Sequence, residues 1–180
     1  LPASASIMSV LMGELSKEDT FSLIRQQARL RGQNDLAEAS EDKLQVIYDV
    51  AGGNPLAIKL VVGLTDVYPL TSILADLKKA KTREVSDLYI QIYWYAWNSL
   101  SEHGQALLEV MPMVSMIGVT PEKLSVMSGL EEEKLWLAIS ELVNRSLLDV
   151  RGTTWERRYT IHRLTESFLF TEIIRWPEKA

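Results

Sequence analysis

Apolar residues recur at helical spacing along most of the chain. Phe21, Ile24 and Ala28 share one face behind Ser16, a good N-cap, and the acids of Lys17-Glu18-Asp19 suit the positive end of a helix dipole. The pattern predicts a helix to about Arg31, then a turn at Gly32-Gln33-Asn34-Asp35. Ser40 heads a second helix in which Leu44, Ile47 and Ala51 line up. Leu70, Ile73, Leu74 and Leu77 give the i, i+3, i+4, i+7 stripe of an amphipathic helix. That helix ends at Lys78-Lys79-Ala80-Lys81, where lysines complement the dipole and require no ligand. From Leu88 to Trp97 the chain is apolar all round, a pattern shared by buried strands and buried helices. Its length, with no turn signal inside, selects helix.

Further on, helices are expected around Gly104–Met111, from Thr120-Pro121 to Gly129, and from about Glu131 to Arg145. Leu135, Ile139, Leu142 and Val143 form the inner face of the last of these. Leu147–Val150 and Arg158–Ile161 read as strands joined by a polar loop at Gly152-Thr153-Thr154. A final helix begins near Arg163 and carries Leu164, Phe168, Leu169 and Ile173. The expected fold is mainly α: a small helical bundle followed by a winged helix–turn–helix with a two-stranded β-hairpin. Lys81-Thr82-Arg83-Glu84 is the expected boundary, giving a helical unit at 1–83 and a winged helix at 84–180. Ile7–Met12, short and apolar, reads as a strand end or a packing linker before the first helix.

The sharpest local signal is Gly52-Gly53-Asn54-Pro55-Leu56-Ala57. Gly52 can end one helix in a left-handed conformation because it lacks a Cβ. Asn54 is a good N-cap, and Pro55 fits the first helical position, where a missing N–H costs nothing. Two helices therefore meet at a stiff corner, and the second turns its N-terminus outward. By itself this is equally a well-made corner between two helices.

Composition narrows the chemistry. The 180 residues are 47% hydrophobic and 24% charged, the balance of a folded globular chain. A formal charge of −5 gives no reason to expect a polyanionic partner, and no apolar run has the length to cross a bilayer. There is no cysteine, and the two histidines, His103 and His162, lack metal-ligand spacing. No phosphate-cradling Gly-x-x-x-x-Gly-Lys-(Ser/Thr) loop, paired-aspartate strand, Ser-His-Asp set or HExxH motif is present, so no catalytic residue and no metal site is assigned. The start at Leu1-Pro2-Ala3 reads as an excerpt of a longer cytoplasmic protein.

Gly53-Asn54-Pro55-Leu56-Ala57 resembles the Gly-x-Pro-Leu-Ala motif of NB-ARC domains, the ATPase cores of STAND-type signalling proteins. In that family the motif lies in a helical lid, with its proline against the bound nucleotide. Leu142-Val143-Asn144-Arg145-Ser146-Leu147-Leu148 resembles the family's Leu-Val-x-Arg-Ser-Leu-Leu segment entering the winged-helix hairpin. Ile161-His162-Arg163-Leu164 lines up with its Met-His-Asp-Leu motif, isoleucine standing for methionine and arginine for aspartate. The Leu15-to-Ala28 helix fits the helix that precedes the lid. The resemblance implies a lid and winged helix from an ATPase switch, with Pro55, Leu56 and His162 contacting ADP or ATP. It also implies a nucleotide-binding domain of the same chain as partner, closure over ADP in the off state, and homo-oligomerisation on activation. No cofactor, nucleic acid or membrane is expected to bind the isolated 180 residues, and no enzymatic turnover is expected of them.

Two other readings stand beside this one. A winged helix can bind DNA, but the recognition helix opens on Glu131-Glu132-Glu133 and carries Glu141 against only Lys134 and Arg145. A nucleotide-independent helical adaptor would use the corner and His162, a strand-end histidine bonded to backbone, for packing alone. The aromatics of 88–97 could stack bases, although so few charges suit a core better.

Overall fold

The structure, a computed structural model, describes residues 14–81, 85–114 and 117–175. Helix α1 (Lys17–Leu30) starts where the Ser16 Oγ accepts the Asp19 N–H at 3.1 Å, and it buries Phe21, Ile24 and Ala28. The expected turn is partly helical: Asn34 and Asp35 open α2 (Asn34–Ala37), which carries Ala37 into the core. Then come α3 (Glu41–Ala51), α4 (Pro55–Leu64) and α5 (Leu70–Lys81). Ser40 holds the N-cap position of α3, but its side chain makes no capping bond there. Leu44, Ile47, Ile73 and Leu77 are fully buried, as their spacing requires.

The aromatic run is helical, within α6 (Val85–Asn98). Leu88, Ile92, Tyr93 and Ala96 are buried, and Tyr89, Trp94, Tyr95 and Trp97 lie half-buried around them. That distribution explains why the segment has no polar stripe: most of its circumference is covered. α6 packs chiefly on α4 and α5 and meets α10 (Arg163–Phe168) along another side. Of the expected boundary at 81–84, Lys81 ends α5 and the rest lies outside the described residues, as does Ile7–Met12 at the start. Buried side chains from Phe21 to Leu169 form one continuous cluster.

The second half has α7 (Glu102–Val110), one 3-10 turn at Met111–Met113, α8 (Pro121–Ser128) and α9 (Glu132–Asn144). Gly129, at φ +69°, makes the tight stop between α8 and α9. The hairpin pairs β1 (Asp149–Gly152) with β2 (Arg157–Thr160), antiparallel, in the register Val150 to Tyr159 and Arg151 to Arg158. Both strands differ from expectation. Leu147 and Leu148 do not pair but donate their N–H groups back to the Leu142 carbonyl, at 2.9 and 3.2 Å, and fill the core. Gly152 belongs to the strand, and the turn is Thr153–Glu156, where the Thr153 hydroxyl accepts the Trp155 and Glu156 N–H groups. Val119 adds a bridge on the far side of β2, exchanging both backbone bonds with Tyr159 at 2.9 and 3.0 Å. α10 continues into a π-helical turn at Leu169–Ile174, where the single expected helix widens to i→i+5 bonding. Among the described residues no single helix is long and apolar enough to cross a membrane.

Candidate functional site

The Gly-Gly corner bends the chain by 116° between α3 and α4. Gly52 has a positive φ, as expected, but its pair of angles (φ 67°, ψ −164°) lies in an extended region open only to glycine, not in the left-handed helical well. Gly53 serves a different need. The Leu15 N–H donates to its carbonyl at 2.8 Å, and a Cβ on Gly53 would collide with the Leu15 carbonyl oxygen. Asn54 caps α4 through Oδ1, which accepts from Leu56 N at 2.9 Å and Ala57 N at 3.1 Å, while Ile58 N donates to the Asn54 carbonyl. With Pro55 lacking an N–H, the first turn of α4 has its donors occupied. Pro55 and Leu56, both half-buried, thus offer apolar surface rather than phosphate-binding amides.

His162 sits between β2 and α10 as the N-cap of α10, and its ring is exposed. The Leu164 N–H donates to His162 Nδ1 at 3.2 Å. An N–H can only donate, so Nδ1 carries the lone pair and Nε2 carries the proton of the neutral ring. The histidine is therefore both a cap and a donor. It borders a cavity of about 270 Å³ with Arg151, Arg163, Asp149, Glu166 and Thr160. Two cations and two carboxylates balance there, so anion selectivity falls to hydrogen-bond donors. Thr160 is 5% exposed, and its hydroxyl has no partner among the described residues.

Pro55 and Leu56 do not line this cavity. The two places are linked through α6. Tyr89 interacts with the Asn54 side chain, and burial first, then the Glu14 carboxylate, raises the pKa of its hydroxyl. One turn along, Tyr93 shares a 3.0 Å hydrogen bond with Thr165, three residues past His162, and stacks on Phe168 at 5.2 Å. Burial pushes the Tyr93 hydroxyl up to about 12, against the smaller opposing effect of that bond. Arg151 is one of three arginines, with Arg157 and Arg158, that make the hairpin the basic feature of the sequence, whereas nothing local marks a role for Tyr89, Tyr93 or Thr160. The tyrosines look like core in an apolar run, and no local pattern marks a threonine whose hydroxyl will be stranded. Among the described residues no cluster of three His, Cys, Asp or Glu side chains suits a metal ion.

On α9, Glu132, Glu133, Trp136 and Leu137 are exposed. Glu141 is not on that outer face: its carboxylate accepts from Ser101 N at 3.0 Å and Ser101 Oγ at 2.6 Å, fastening α7 to α9. No protein-family model matches the sequence, and no curated protein matches it.

Proposed function

We propose that this chain is the lid and winged-helix portion of a nucleotide-dependent switch of the NB-ARC and STAND type, working in the cytoplasm. The observation that carries the reading is His162: Nδ1 is consumed by the Leu164 cap, which fixes the ring and leaves Nε2–H as a donor beside a cavity that Arg151 and Arg163 also line. That donor set fits a phosphate oxygen. His162, helped by Arg151 or Arg163, would hold the terminal phosphate of ADP, and Pro55 and Leu56 would pack against the base or sugar. The nucleotide supplies the negative charge that distinguishes the closed, ADP-bound state from the state open to oligomerisation. A nucleotide-binding domain of the same chain supplies the phosphate cradle, so the 180 residues alone turn over no ATP.

A hydrogen bond to a charged group contributes about 1.5–3 kcal/mol, roughly ten- to a hundredfold in the closed–open balance. Replacing His162 by alanine removes cap and donor together; His162→Asn restores a capping oxygen but not the reach of Nε2. In the intact protein both variants should release ADP faster by that factor, and only the alanine should lower the melting temperature. ADP off-rates unchanged in His162→Asn would sink the assignment and leave the adaptor reading. DNA binding is disfavoured by the exposed glutamates at the start of α9, which repel phosphates. No retardation of duplex DNA is expected at physiological salt.

A further inference from the structure

α8 and α9 enclose a groove of about 380 Å³ lined by Pro121, Glu122, Ser125, Glu132, Leu135 and Trp136. The two helices that form it expose apolar and acidic side chains together. Trp136 is 45% exposed, Leu137 63% and Val126 83%. Glu122, Glu131, Glu132 and Glu133 are exposed along the same two helices, four carboxylates against Lys123 and Lys134. A tryptophan flanked in the groove by the carboxylates of Glu122 and Glu132 favours a cationic occupant that also brings apolar surface.

The same chain carries such a feature. The hairpin tip exposes Trp155 at 97%, so an indole with a large apolar face stands almost wholly in water. Around it are Arg151, Arg157 and Arg158, with Glu156 as the carboxylate of the turn. Arg151 and Arg158 stand directly opposite each other in the register, a like-charge pair that destabilises a hairpin. Glu156 pairs with Arg158 at 2.8 Å, while Arg151 and Arg157 make no ion pair among the described residues. An external carboxylate would relieve this.

We propose that the hairpin tip of one copy docks into the α8–α9 groove of a second copy. Trp155 enters beside Trp136, and Arg157, on the face of β2 away from Arg158, faces Glu132. The contact is head-to-tail: every copy keeps one free tip and one free groove, so association continues past the dimer toward a ring or a chain. No nucleotide takes part, and the contact stands or falls apart from the role of His162.

Sedimentation velocity over a concentration series of the 180-residue chain tests it. The mass should rise from the 20.4 kDa monomer through the dimer to larger species. Trp136→Ala and Trp155→Ala should each weaken association by tenfold or more, roughly the effect of an interface hot spot. Mixed together, those two variants should stop at a one-to-one dimer, since one retains only a tip and the other only a groove. Glu132→Arg/Glu133→Arg and Arg157→Glu/Arg158→Glu should each remain monomeric alone and associate when combined. The variants change exposed positions apart from Arg158, which is half-buried, and far-ultraviolet circular dichroism verifies their fold. A chain monomeric at every concentration overturns the proposal, as does association that survives both tryptophan changes or charge-reversed chains that fail to recombine.

Discussion

His162 and Tyr93 show how single side chains here have two duties. Tyr93 fills the core with its ring and ties α6 to α10 with its hydroxyl. Its folded pKa, about 12, lies above the ordinary 10.0, so the folded state holds the proton more tightly than the unfolded chain. Stability from this group is complete below about pH 10 and is lost as pH rises toward about 12. Tyr95 adds to the same window, its hydroxyl pushed up to about 12 first by its bond to the Asp76 carboxylate. Tyr93→Phe should cost about 1 kcal/mol at neutral pH and flatten part of the alkaline decline, read as melting temperature against pH. The sequence reveals Tyr93 as core, because its neighbours are apolar at every spacing. It does not reveal the hydroxyl's partner, because Thr165 is 72 residues away and nothing local pairs them.

Corners and caps were the most legible elements, since glycine, asparagine and proline act through their own backbones. Asn54 and Pro55 fall where the sequence places them. The separate reasons for Gly52 and Gly53 were not legible, because the second depends on Leu15, which is remote in the chain. Gly53 and Gly32 should respond differently to alanine. Gly53→Ala must displace backbone and is expected to cost about 2–3 kcal/mol by chemical denaturation. Gly32→Ala, where a Cβ would meet nothing within 4 Å but φ is +71°, should cost only about 1 kcal/mol. The hairpin's shifted start has a similar origin. Ser146, at φ 59°, turns the chain out of α9, and its hydroxyl accepts from Arg31 at 3.5 Å. Apolar Leu147 and Leu148 look like strand residues, yet that turn sends them inward before pairing begins.

Across the whole molecule a seam runs between α6 and the elements that follow it. Tyr93–Thr165, the stacking of Phe168 on Tyr93 with its edge-on contact to Trp94, and Arg31 to Ser146, from α1, tie the two sides together. On the near side, α6 covers α4 and α5 with Leu88 and Ile92. A chain ending at Asn98 should therefore unfold in one cooperative transition, whereas one ending at Lys81 should lack it. Each lost large side chain removes about 1.5–3 kcal/mol of burial. Thermal melts followed by circular dichroism distinguish the two. Helical periodicity could not show that α6 leans toward the first half, because a helix apolar all round gives no preferred direction.

The small bridge between Val119 and Tyr159 has a geometric consequence. Two backbone bonds join Val119, two residues before α8, to the inner hairpin strand, so the projecting tip and the receiving groove are parts of one stiff block. Successive copies joined tip to groove would then be related by one repeated rotation and translation. If that operation returns to its origin, the assembly has a single subunit number and grows no further; otherwise it winds as a helix of constant pitch. Softening the bridge would blur the angle and replace one discrete size with a spread.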